Sequence, residues 1–177
     1  MVLLVQYTLI FASVLALVAL GGCFSEHSGV INIGLEGIMV MGALGGALAM
    51  KFLPATTSGI VLFILIVLAS VLVGMAFSLL LGFAAIHFNA DQTLVGTALN
   101  LMGTAAAVVI VRAINVAENP DNVSSTVVYR QAKQVFLVKI GDFEFNWFML
   151  IIVLAIIASH IVLYRTKFGL RLCACGE

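Results

Sequence analysis

Five apolar runs, each long enough to cross a bilayer, take up most of this 177-residue chain. They extend from about Val2 to Phe24, Ile31 to Met50, Ile60 to Ile86, Gln92 to Ile114 and Phe145 to Tyr164. A helix needs about 20 apolar residues to span the hydrocarbon. Only helices and closed barrels satisfy their backbone polar groups there. The predicted fold is therefore all-α, a polytopic transmembrane helix bundle of about five spans, with residues 1–177 as one domain. The third run reaches roughly 40 Å at 1.5 Å per residue, so it tilts or projects beyond the hydrocarbon.

Composition points the same way. The chain is 63% hydrophobic and 9% charged, with mean hydropathy +1.24, against about 25% charged in a soluble domain. Eight basic and eight acidic residues cancel, so nothing indicates nucleic acid or a polybasic surface tail, and membrane lipid is the expected surrounding. No basic n-region precedes Val2 and no Ala-x-Ala-like site stands near residues 20–25, so the first run reads as a retained span.

The breaks between runs carry turn chemistry. Pro54 and Thr56-Thr57-Ser58-Gly59 make a short loop, and Asp91 is placed to N-cap the fourth helix. Residues 115–144 form the one long polar stretch, with a turn at Asn119-Pro120-Asp121-Asn122. Alternation around Val127-Val128-Tyr129 and Val135-Phe136-Leu137-Val138 suits a short hairpin. Arg165, Lys167 and Arg171 crowd the end of the fifth span, which places residues 165–177 in the cytoplasm and 115–144 outside. Counting back puts Lys51 outside and both Ser25–Gly37 and His87–Asp91 on the cytoplasmic side.

The break Ser25-Glu26-His27-Ser28-Gly29-Val30-Ile31-Asn32-Ile33-Gly34-Leu35-Glu36-Gly37 is the most polar part of the apolar region. A charge at a helix centre costs about 2.5–3.5 kcal/mol on insertion scales, and Gly-interrupted spans are where transporters place binding or gating elements. Asn32 and Glu36 would share a face if the second helix has begun by Asn32. A membrane-embedded enzyme using Glu26, His27 and Glu36 is the alternative from another class, and a structural membrane protein is a third. Adjacent Glu26 and His27 point in different directions on a helix, and no His-Glu-x-x-His helix exists. His160 suits an interhelical hydrogen bond. Cys23, Cys173 and Cys175 lack the ligand set of a zinc site and read as free thiols. No catalytic residue, metal or cofactor is expected.

Small residues mark helix packing. Gly42 and Gly46 are four apart on the second span, and Gly74, Ser78 and Gly82 repeat that spacing on the third, which lets helix backbones approach closely. On the fourth span Gln92, Gly96, Asn100, Gly103 and Thr104 fall on one face. That stripe suits either a substrate path or interhelical hydrogen bonds. The basic and apolar residues after Thr166 suit a cytoplasmic end, or a short amphipathic helix docked on a partner.

The run Phe24 to Gly37 closely resembles the ABC-importer permeases for nucleosides and simple sugars, relatives of the ribose and branched-chain amino acid permeases. Two further runs match in order: Asn89-Ala90-Asp91-Gln92-Thr93-Leu94-Val95-Gly96-Thr97-Ala98-Leu99-Asn100-Leu101, and Thr166-Lys167-Phe168-Gly169-Leu170-Arg171-Leu172 to Gly176-Glu177. The resemblance implies an inner-membrane subunit that pairs with a second permease, binds cytoplasmic ABC ATPase subunits and receives substrate from an extracytoplasmic binding protein. It would hydrolyse no ATP itself, and the chain has no phosphate-binding Gly-x-x-x-x-Gly-Lys-Ser/Thr loop. On this reading Asn32, Glu36, Gln92 and Asn100 face the bundle or the substrate path, and Phe168, Gly169, Leu170 and Arg171 contact the ATPase. Cys173 stands where relatives are basic. Family members are about twice as long, so the resemblance implies an N-terminal half that stops within the ATPase-contacting loop.

Overall fold

Caps decide where the apolar runs become helices. The computed structural model describes residues 2–54, 59–127, 137–140 and 143–176. Its elements are α1 (Val2–His27), α2 (Leu35–Phe52), α3 (Gly59–His87), α4 (Gln92–Glu118), β1 (Leu137–Ile140), β2 (Phe143–Asn146), α5 (Trp147–Arg165) and α6 (Lys167–Gly176). Helices α1 to α4 are each long and apolar enough to cross a membrane, and α5 with α6 makes a fifth candidate bent by 72°. Large apolar side chains such as Leu4, Phe11, Ile60, Ile86 and Val109 are exposed. Apolar surface on this scale belongs against lipid or other membrane helices. The chain is a multi-pass helical membrane protein.

The helices divide into two compact units, residues 33–135 and residues 1–32 with 136–177. In the first unit α2, α3 and α4 pack together. Phe77 and Leu81 of α3 and Leu99 of α4 form its buried cluster, with Ile38, Met41 and Val95 packed on it. The α2–α3 seam is a close approach of backbones. A Cβ on Gly42 would stand 3.3 Å from the Ser70 carbonyl, and one on Gly46 would collide with Ser70 Oγ. Gly74 faces Gly42 and Ile38 at 3.8 Å.

Gly82 departs from the expected stripe, since a Cβ there meets nothing within 4 Å. The seam on α3 runs through Ser70 and Gly74 rather than on to Ser78 and Gly82. The reason is the late start of α2. It begins at Leu35, so little of its length remains opposite the C-terminal third of α3. For the same reason Asn32 lies before the helix, and Asn32 and Glu36 share no helical face.

At the other end of this unit the sequence boundary also moved. Helix α4 continues to Glu118, four residues past the apolar run, because its last turn is bonded. Lys51 Nζ lies 2.9 Å from Glu118 Oε2 and donates to Asn115 Oδ1 at 3.3 Å. Asn115 is 2% exposed, and its Nδ2 donates to the carbonyls of Ser124 and Thr126 at 2.9 and 3.0 Å. Burial of an amide needs such satisfaction of both its functions. Lys51 and the segment after α4 thus lie at one end, as alternating spans require.

In the second unit β1 and β2 pair antiparallel, Leu137 opposite Asn146 and Ile140 opposite Phe143. The hairpin joins Leu137–Ile140 to the residues before α5. Most of the expected partner strand, residues 128–136, lies outside the described residues. Phe145 and Asn146 belong to the strand, so the fifth helix starts at Trp147.

Candidate functional site

The polar break between α1 and α2 is built from two different devices. The first ends α1. Gly29 has φ +78°, a left-handed conformation that glycine adopts without steric cost. Gly29 N–H donates to the Glu26 carbonyl at 3.0 Å and Val30 N–H to the Ser25 carbonyl at 3.2 Å. That is the Schellman pair of bonds, which uses up the carbonyls a helix end leaves free. Ser25 Oγ adds a bond to the Val30 carbonyl at 2.8 Å, and Ser28 Oγ one to Ser25 at 2.6 Å. His27 Nδ1 reaches the Cys23 carbonyl at 2.7 Å, and its ring meets Tyr164 edge-on. Tyr164 also packs against His160. Glu26 is exposed.

The second device starts α2. Its N-cap position is Gly34, which has no side chain to cap with. Asn100 of α4 supplies the cap instead. Its Oδ1 accepts from Gly37 N–H at 2.7 Å, the third helical N–H and the one an N-cap oxygen normally takes. Its Nδ2 donates to the Ile33 carbonyl at 2.8 Å. One amide therefore holds both sides of the helix start.

Such reach requires backbone contact, and glycines provide it. A Cβ on Gly37 would stand 2.5 Å from the Leu99 carbonyl and 2.9 Å from Asn100 Cα. A Cβ on Gly103 would stand 2.9 Å from Gly37 Cα, and one on Gly96 2.9 Å from Gly34 N. The polar stripe of α4 is thus the seam against residues 33–37, and of its two readings the interhelical hydrogen bond is the one seen at Asn100. Thr104 turns back to the Asn100 carbonyl at 3.0 Å. Glu36 is exposed in the first turn of α2, where a carboxylate suits the positive end of the helix dipole. Gln92 is the first residue of α4. Asn32 Oδ1 is buried with no hydrogen-bond partner.

Asp91 caps α4, with Oδ1 accepting from Thr93 N–H at 2.8 Å and Leu94 N–H at 3.2 Å. Asn89, at φ +48°, supplies the preceding left-handed turn, a conformation asparagine tolerates. The Leu94 and then the Thr93 backbone bonds hold the Asp91 carboxyl below the ordinary aspartate range. A depressed value in the folded state means stability that is full above the unfolded pKa and is lost as pH falls through the folded one. Protection of the Thr93 and Leu94 amides from hydrogen exchange should therefore weaken, relative to Asp91→Asn, below the ordinary aspartate value of about 3.9. Above it the two proteins should match, since asparagine caps equally well. Equal protection at both pH values would show that the carboxylate carries none of the cap.

The four C-terminal candidates fall on α6. Thr166 is its N-cap, donating to the Val162 carbonyl at 2.5 Å and accepting from Gly169 N–H at 3.3 Å. Gly169 is buried, and a Cβ there would overlap the Leu163 carbonyl oxygen and stand 2.5 Å from that of Val162. Phe168, Leu170 and Arg171 are exposed. The structure gives Gly169 a seat against α5 and leaves the other three on the surface. Cys23, Cys173 and Cys175 are free thiols, and no cluster of three or more His, Cys, Asp or Glu gathers among the described residues.

Two residues escaped the sequence reading: Asn115 as a buried anchor, and Lys51 as its partner. Four-residue spacing from Val111 and the lysine ending an apolar run were the available signals. Ser25, Ser28 and Gly29 lie within the polar break, and Ser-Gly after an apolar run is the sequence signal for the left-handed stop of α1.

Backbone-tight helices with exposed apolar faces, and a polar break clamped by an amide from a third helix, define a membrane-embedded helix bundle. The chain belongs to the family described as branched-chain amino acid transport system / permease component, which matches residues 4–177. It is 36% identical over 179 residues to the guanosine ABC transporter permease protein NupQ of Bacillus subtilis, covering 99% of this chain and 56% of the relative. It is 33% identical over 180 residues to the nucleoside ABC transporter permease protein NupC of Lactococcus lactis, again 99% and 56%. A putative glucose ABC transporter permease protein, TsgC13 of Haloferax volcanii, is 37% identical over 101 residues, covering 57% of this chain and 29% of the relative. The chain spans about half the length of the curated relatives it matches. No solved structure shows a significant match.

Proposed function

We propose that this chain supplies the N-terminal helices of a permease subunit in an ATP-driven, binding-protein-dependent importer of nucleosides. The observation that carries the reading is the extent of similarity. The nucleoside permeases match 99% of the chain, whereas the sugar permease matches 57%. A simple sugar is the second reading, favoured only by that shorter match.

On this proposal the exposed face of α6, with Phe168, Leu170 and Arg171, meets cytoplasmic ABC ATPases. The segment 115–144 faces an extracytoplasmic binding protein, and a second permease subunit completes the path. Asn32, Glu36 and Gln92 are the polar side chains offered toward the path or bundle, while Asn100 fixes the start of α2 beside them. The role of Glu26 and His27 is to end α1, not to catalyse.

Uptake into proteoliposomes tests this, with the permease reconstituted alongside its ATPases, partner permease and binding protein. ATP-dependent accumulation of labelled guanosine, competed by other nucleosides and not by glucose, is the expected result. Accumulation of glucose or ribose without any nucleoside competition would overturn the nucleoside assignment.

A further inference from the structure

Helix α4 grips α2 with a side-chain amide at each end. At the start of α2, Asn100 holds the Ile33 carbonyl and Gly37 N–H. At its finish, Lys51 Nζ donates to Asn115 Oδ1 at 3.3 Å and pairs with Glu118 Oε2 at 2.9 Å. The joined positions lie 63 residues apart in sequence at the first clamp and 64 at the second, so α2 and α4 run parallel and in step. At 1.5 Å per residue, Gly37 to Lys51 is about 21 Å of helix and Asn100 to Asn115 about 22 Å. The two lengths match to within one residue's rise.

One clamp would leave two helices free to pivot about it. Two clamps roughly 20 Å apart close a four-sided frame, and sliding or splaying either helix then breaks one of them. Packing between the clamps contributes less. The facing residues Ala43, Ala47 and Ala107 are small, and with Val40, Val108 and Val111 they line an apolar cavity of about 340 Å³. The second clamp is built to hold rather than to open. The Lys51 side chain is 10% exposed, and the buried Asn115 is tied as well to the Ser124 and Thr126 carbonyls. Parting the helices there would leave a nearly buried ammonium and a buried amide oxygen unpaired, the costly state for both.

We infer, on the importer reading above, that α2 and α4 pass through the transport cycle as one clamped strut. Lys51 and Asn115 are positioning residues at its second clamp, not contacts for substrate or ATPase. Whatever opens for solute opens elsewhere than between these two helices.

Spin labels at Phe52 and Val116, both exposed at that end, report the distance between the helices in the complete reconstituted complex. They are attached through a ketone amino acid, so the native thiols stay unlabelled. The distance distribution should be narrow and the same without ATP, with ATP and in the vanadate-trapped complex. Lys51→Met removes the charge and the donor. It should broaden the distribution and lower nucleoside uptake per ATP hydrolysed about tenfold, within the usual range of coupling between sites. Lys51→Arg keeps charge and donors and should retain most of the uptake. Lys51→Cys with Glu118→Cys should lose uptake as made and recover it when a bifunctional thiosulfonate of the ion pair's span joins the two thiols. The unmodified complex given the same reagent is the reference. A distance that changes with ATP in the unmodified complex overturns the strut, because the helices then part. An unchanged ratio of uptake to hydrolysis in Lys51→Met overturns the positioning role, and a bridge that leaves uptake abolished overturns the strut. If Lys51→Met does not assemble, the bridged pair and the unmodified distance decide. Failure of the unmodified complex to import any nucleoside sinks the importer reading, while the distance measurement still tests the strut.

Discussion

Asn100→Ala should destabilise the protein by about 2 kcal/mol and loosen the start of α2, because a buried N–H left without a partner costs roughly 1–3 kcal/mol. The two bonds removed are unequal. Gly37 is buried, so its N–H has no ready replacement, and Gly34 cannot cap it. Ile33 is exposed, so its carbonyl loses less. Asn100→Asp separates them. The carboxylate keeps an oxygen for Gly37 N–H and puts negative charge at the positive end of a helix, while the donor to Ile33 is gone. Thermal unfolding in detergent should therefore rank the proteins as wild type, then Asp, then Ala. Hydrogen exchange should place the loss at residues 35–38. If alanine unfolds with the wild type, the clamp is incidental. Uptake adds a second reading. Glu36→Gln leaves the clamp intact, so a transport defect there with no change in stability would mark Glu36 as a path residue.

Much of this architecture is legible from the chain because membrane burial forces long apolar helices, and their ends are written in local chemistry. Asp91 caps α4 as its position suggests, and Gly42 and Gly46 meet α3 at small-residue spacing. What local chemistry cannot show is which helix completes another. Nothing near Gly34 announces that the cap of α2 comes from Asn100, more than sixty residues away. Gly96, Asn100 and Gly103 of the α4 stripe meet residues 33–37, but the stripe by itself leaves their role open, since an amide in hydrocarbon serves a neighbouring helix or a solute equally well. Gly82 shows the opposite failure. Its spacing fits a packing seam, yet the seam stops where α2 begins, at Leu35, four residues later than the apolar run suggests, because Ile31 and Ile33 are as apolar as the helix itself. Asn115 reads as loop for a similar reason: its polarity marks it as outside, while a lysine and two loop carbonyls satisfy it in burial.

Gly169→Ala should be among the most damaging single methyl additions in this chain, and its effect should not depend on the ATPase. The added carbon would overlap the Leu163 carbonyl oxygen and press on that of Val162. Both are backbone of the last turns of α5, so neither side can relieve the clash by rotating a side chain. Overpacking of a tight site costs about 1–3 kcal/mol and occasionally more, and the upper end is expected here. The local consequence is that α6 leaves its seat, breaking the bond from Gly169 N–H to Thr166. Cys173 and Cys175 report this directly. Cys173 is partly covered while Cys175 is exposed, so maleimide labelling of Cys173 should accelerate toward the rate of Cys175, with Cys23 on α1 unchanged. Gly82→Ala is the matched control. Nothing lies within 4 Å of that position, and replacing glycine inside a helix gains about 0.5–1 kcal/mol, so stability should hold or rise. Phe168→Ala and Arg171→Ala complete the comparison, because these side chains are exposed and touch no seat. They should leave labelling as in the wild type and, on the importer proposal, weaken only the association with the ATPase. If Gly169→Ala labels like wild type and loses only that association, then Gly169 is a contact residue after all, and the α5 seat is not what holds α6.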